Sequence, residues 1–95
     1  MLDHVAIVVS DIDRSIKWYA EKFDNFKVLY QDETWGMIDI DGAKIAFVLA
    51  DMHPPHIAIE QKSDVPEDAR MHRDGSYYIY DEDPDGNVIE RIWWV

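Results

Sequence analysis

Three residues far apart in the chain carry the chemistry legible in this sequence: His4, His56 and Glu90. Each belongs to an apolar run, with small or apolar residues two positions away: Leu2 and Ala6 beside His4, Ala58 beside His56, Val88 and Ile92 beside Glu90. Residues two apart share one face of a strand. If these faces are buried, Glu90 needs a partner, because an unpaired buried charge costs several kcal/mol. Two imidazoles and one carboxylate form a ligand set for a divalent ion such as Fe, Mn, Ni or Zn, with positions left open for water or substrate. The same residues could instead make a Glu–His hydrogen-bonded pair next to a satisfied core histidine.

The elements that must position them are read in order. LDHVAIVV, Leu2 to Val9, is a Val/Ile-rich strand, apolar on both faces. Ser10-Asp11-Ile12-Asp13 signals a helix start, with Asp13 as a possible cap and both aspartates complementing the positive helix end. Ile12, Ile16, Tyr19 and Phe23 then recur at helical spacing, and Asp24-Asn25 closes the helix. Three strands follow, Phe26 to Asp32, Thr34 to Ile40 and Ala43 to Ala50, the last two joined by the hairpin signal Asp41-Gly42. Residues 1–50 thus read as β-α-β-β-β. Asp51 to Pro55 is a linker, stiffened by two prolines, with His53 in solvent.

A second β-rich module, residues 56–95, begins with His56-Ile57-Ala58-Ile59, which repeats the pattern of His4-Val5-Ala6-Ile7. Gln61 to Ser76 is too short to copy both the helix and the strand that follow in the first module. Val65 to Arg70 suffices for one helical turn, and the following MHRDGS reads as loop with a solvated His72. Tyr77 to Trp94 is a hairpin: Pro84 and Gly86 suit its acidic turn, and Val88, Glu90, Ile92 and Trp94 share one face of its second strand.

Composition removes several function classes. With 95 residues and 47% apolar side chains, the chain is one globular domain with a modest core. A net charge of −11 argues against nucleic acid and anionic membrane surfaces, which attract clustered positive charge. No cysteine is present, which excludes disulfides, thiolate metal sites and Cys nucleophiles and fits a reducing cytoplasm. Asp3 and the short first apolar run do not suit a signal peptide, and no run approaches the ~20 apolar residues of a membrane span.

Three stretches resemble the glyoxalase/bleomycin-resistance/extradiol dioxygenase superfamily, the vicinal oxygen chelate proteins. LDHVAIVVSDIDRSIKWYAEKF is similar to the family's opening strand and helix, HIAIE to the start of its second module, and YYIYDEDPDGNVIERI to its closing hairpin. The resemblance implies an α+β fold of paired βαβββ modules forming a cupped mixed sheet around a divalent metal, here with the second module truncated. It places the ligands at His4, His56 and Glu90. Four-ligand members carry a further ligand on the last strand of the first module, where this chain reads Ile45-Ala46-Phe47-Val48. That departure weakens a glyoxalase I reading and favours the His-His-Glu pattern.

The resemblance implies a small metalloenzyme, a lyase, transferase or dioxygenase, that chelates an oxygen-bearing small molecule. Trp35, Tyr78, Tyr80 and Arg73 are the expected substrate contacts, and no catalytic residue is assigned. The alternative is a non-catalytic, bleomycin-resistance-like binding protein. A third reading leaves the polar triad merely hydrogen-bonded in a structural or regulatory protein. The shortened second module and an exposed sheet edge point to a homodimer.

Overall fold

The computed structural model describes residues 1–95. The chain is α+β, with eight strands and one helix, and it divides into two compact units: His4–Pro55, and His56–Val95 together with Met1–Asp3.

The first unit contains β1 (Leu2–Val8), α1 (Ile12–Lys22), β2 (Phe26–Gln31), β3 (Trp35–Ile40) and β4 (Ala43–Val48), with β1 beginning in the residues assigned to the other unit. Its strand order is β2-β3-β4-β1. The two β2–β3–β4 pairings are antiparallel, and β1 runs parallel to β4. The expected β-α-β-β-β order is therefore present. Parallel pairing of β1 with β4 needs a crossover, and α1 with the two hairpins supplies it. Asp41 and Gly42 turn the β3–β4 hairpin with φ of 57° and 91°, both in the left-handed region that a tight two-residue turn requires.

Alternation along the strands creates two different faces. Ile38 and Phe47 pack with Ile12 and Ile16 of the helix, joined by Ile7, Val9, Tyr19, Phe26, Ile40, Ile45 and Leu49. The opposite face is lined by smaller residues, Ala6, Ala46 and Val48, with Met37 against them. His4 lies on the Ala6 side of β1. The helix start differs in one residue from the expectation. Asp11, not Asp13, is the cap, accepting a hydrogen bond from the Arg14 amide at 2.9 Å. Asp13 lies in the first turn, where it pairs with Lys17 at 2.8 Å.

The second unit contains β5 (His56–Glu60), β6 (Arg70–Met71), β7 (Tyr77–Glu82) and β8 (Val88–Trp93) in the order β5-β8-β7-β6. Here too the module's first strand runs parallel to its last, and the others pair antiparallel. The topology thus repeats that of the first unit with the helix deleted. Where a helix would stand, residues 61–69 hold no regular element beyond a turn closed by the Ala69 amide on the Pro66 carbonyl at 3.2 Å. The module is truncated as expected, but Met71 is not loop: the second strand survives as two residues. The Met1 carbonyl accepts from the Glu60 amide at 2.8 Å, and Trp94 Nε1 donates to Asp3 Oδ1 at 2.9 Å, which fixes the first three residues in this unit. No helix is long and apolar enough to cross a membrane.

Candidate functional site

Glu90 is held at the centre of β8. In the parallel register it lies across from Ala58 of β5, and in the antiparallel register across from Tyr80 of β7. Its neighbour two places on, Ile92, is buried, and Glu90 itself is only 1% exposed. The hairpin that delivers it is fixed by the acidic turn. Asp83 Oδ1 accepts from the Asp85 and Asn87 amides, Oδ2 accepts from the Asn87 side chain, and Gly86 takes a φ of 84°. These hydrogen bonds, those from Asn87 foremost, hold the Asp83 carboxyl below its ordinary pKa.

The Glu90 carboxylate is divided between two histidines of the same unit. Oε1 lies 3.3 Å from Nε2 of His56, which opens β5 and is 8% exposed. Oε2 lies 2.5 Å from Nε2 of His72. An ionised carboxylate only accepts, so with Glu90 charged His72 Nε2 is the donor of that hydrogen bond. The expectation of a solvated His72 fails here: its side chain is 26% exposed and rests on Glu90. The ring lies flat on Tyr78, with centroids 3.7 Å apart and planes within 10°. Tyr80 meets the His56 ring edge-on at 5.3 Å and the Tyr78 ring at 5.2 Å. Burial, reinforced by the negative charge of Glu90 and by Tyr78, pushes the Tyr80 phenol well above its ordinary pKa. Every buried side-chain nitrogen and oxygen in the molecule has a hydrogen-bond partner.

The other expected residues separate by unit. His4, the third expected ligand, is 8% exposed on β1 at the start of the other unit. Tyr78 and Tyr80 line the His72–Glu90–His56 group. Arg73 is exposed in the turn after His72. Trp35 belongs to the first unit, where it stacks on Tyr30 with centroids 4.5 Å apart. Sequence reasoning missed His72. No sequence signal marks it: the short strand β6, which pairs Arg70 with Tyr78, brings it to the Tyr78 ring.

The donor chemistry suits a divalent ion. Two neighbouring ligands at the ordinary ~2.0–2.2 Å from a tetrahedral or octahedral centre lie roughly 2.8–3.6 Å apart. The separation of His56 Nε2 from Glu90 Oε1 falls within that span.

The family model for the Glyoxalase/Bleomycin resistance protein/Dioxygenase superfamily matches residues 1–73. No curated protein matches the chain significantly. Among solved structures, a superfamily member from Vibrio splendidus 12B01 superposes with a TM-score of 0.74 at 11% identity, covering 100% of both chains. A glyoxalase/bleomycin resistance protein/dioxygenase from Alicyclobacillus acidocaldarius gives a TM-score of 0.46 at 18% identity, covering 99% of this chain and 91% of that one. A bleomycin-binding protein complexed with bleomycin gives 0.42 at 13% identity, covering 95% of each chain.

Proposed function

Since this chain belongs to the glyoxalase/bleomycin resistance protein/dioxygenase superfamily, we propose that it is a small metalloprotein in which His4, His56 and Glu90 hold one divalent ion. The observation that carries the reading is a carboxylate only 1% exposed with an imidazole nitrogen at ligand-to-ligand spacing. His4, the third proposed ligand, is equally buried. Fe, Mn, Ni and Zn all suit this donor set.

The ion would act as a Lewis acid on a substrate that offers two oxygens. This chain's own residues do the rest. The His56 imidazole would give its Nε2 lone pair to the ion, which moves its hydrogen to Nδ1. Tyr80 and Tyr78 would offer rings and hydroxyls to a ring-bearing or otherwise apolar substrate beside Glu90, with Arg73 and Trp35 as further expected substrate contacts. The reaction is of the lyase, transferase or dioxygenase kind found across such sites. The proposed assembly is a homodimer in a reducing cytoplasm.

A second reading, ligand binding without catalysis or metal, is favoured by one observation: the buried Glu90 carboxylate already has protein partners, a hydrogen bond with His72 on Oε2 and the His56 imidazole 3.3 Å from Oε1.

Metal titration of the chelator-treated protein separates the two readings. The expected result is one equivalent of a divalent ion per chain, bound with a rise in melting temperature that His4→Ala removes. Less than half an equivalent with all four metals, under anaerobic and aerobic loading alike, overturns the metalloprotein reading and leaves the binding protein.

A further inference from the structure

We infer that His72 is a positioning residue for the Glu90 carboxylate, holding Oε2 so that Oε1 is the oxygen presented for ligation. The inference rests on the metalloprotein reading and adds to it a residue outside the three proposed ligands.

Four observations converge on it. The Glu90 oxygens are used separately, Oε2 toward His72 and Oε1 toward His56, so a metal on the His56 side would meet a one-oxygen ligand. The His72 ring cannot swing freely, because it lies flat on Tyr78. Its backbone is fixed on both sides: the His72 amide donates to the Ser76 carbonyl at 2.8 Å, and its carbonyl accepts from the Gly75 amide at 3.0 Å. The turn is locked in its own right. Gly75 takes a φ of 91°, and Asp74 Oδ1 accepts from both the amide and the hydroxyl of Ser76, a residue 1% exposed.

A surface loop has no reason to be so constrained around an imidazole. A carboxylate that must present one particular oxygen to an ion does, since a ligand's partner outside the coordination sphere fixes its orientation and is commonly worth ~10–100-fold in metal affinity. The truncation of the module makes the arrangement possible. The residues 61–69 segment runs without a helix into a two-residue strand, and the histidine directly follows that strand.

The test is metal affinity of wild type, His72→Ala, His72→Gln and His72→Asn, measured by calorimetry, with the visible spectrum of the Co(II)-loaded proteins. A glutamine amide can reach where Nε2 stands and donate to Oε2; asparagine is too short. Expected are a ~10–100-fold loss of affinity in His72→Ala and His72→Asn, recovery of most of it in His72→Gln, and an unchanged Co(II) spectrum in every variant that loads. Wild-type affinity in His72→Ala, or equal losses in Ala and Gln, overturns the inference while leaving the metal site standing. A Co(II) spectrum showing one ligand fewer in His72→Ala overturns it too, because His72 would then be a ligand. Failure of the wild type to bind any metal overturns both this inference and the reading beneath it.

Discussion

Glu90 stands out in the bare amino-acid string, since a carboxylate alternating with Val88 and Ile92 has no ordinary reason to be buried. Its partner His72 does not, because neither periodicity nor composition marks a two-residue strand, and a histidine in MHRDGS has the composition of a solvated loop. The charge of Glu90 and its hydrogen bonds can be separated by experiment. Glu90→Gln keeps the shape and an acceptor oxygen toward one histidine but removes the negative charge that the proposed ligation would use. A metal supplied at about 100 times its dissociation constant stabilises the wild type by ~2.7 kcal/mol. For a domain of this size that is a rise in melting temperature of roughly 10–20 °C. The expected result for Glu90→Gln is loss of nearly all of that rise while the metal-free protein still melts cooperatively. A metal-dependent rise equal to wild type removes Glu90 from the ligand set.

At the scale of elements, the two units are one plan executed twice. Ala6, two residues after His4, pairs in register with Ala46; Ala58, two residues after His56, pairs in register with Glu90. Position 46 is therefore the first unit's counterpart of Glu90, and alanine there leaves the proposed ligand set at three. The repeat is legible because it recurs in residue types, and the β3–β4 hairpin because Asp41-Gly42 answers to a single turn type. The cap falls two residues from its expected place, since Ser10, Asp11 and Asp13 all have capping side chains and only geometry chooses among them. The acidic turn before β8 makes a prediction of its own. The Asp83 carboxyl is held below its ordinary pKa, so its charged form stabilises the fold. That contribution is complete above the unfolded-state value near 3.9, shrinks as pH falls toward the folded value, and is gone below it. Asp83→Asn is accordingly expected to melt lower than wild type at neutral pH, with the gap closing as the pH is taken down through and below the ordinary aspartate range. A gap that is constant across pH assigns the effect to turn geometry alone.

The molecule as a whole carries a net charge of −11 with exposed apolar side chains at the edge strand β2: Val28, Leu29 and Tyr30 are between 42% and 49% exposed. The register of β2 against β3 shifts between Val28 and Tyr30, a bulge at Leu29 that bends the edge and hinders addition of another strand. A second copy meeting this edge would therefore be held through side chains rather than through a continued ladder. Two such anionic chains repel each other, and dissolved salt weakens that repulsion within a Debye length of ~10 Å at 0.1 M. Association through β2 is thus expected to strengthen as salt is raised from ~0.01 to ~0.5 M. Light scattering coupled to size exclusion should then show a mass of twice 11.2 kDa, and Leu29→Lys should return it to one chain without lowering the melting temperature of the monomer. A dimer that weakens with salt, or one that survives Leu29→Lys, places the interface on another face; a single chain at every salt concentration removes the homodimer.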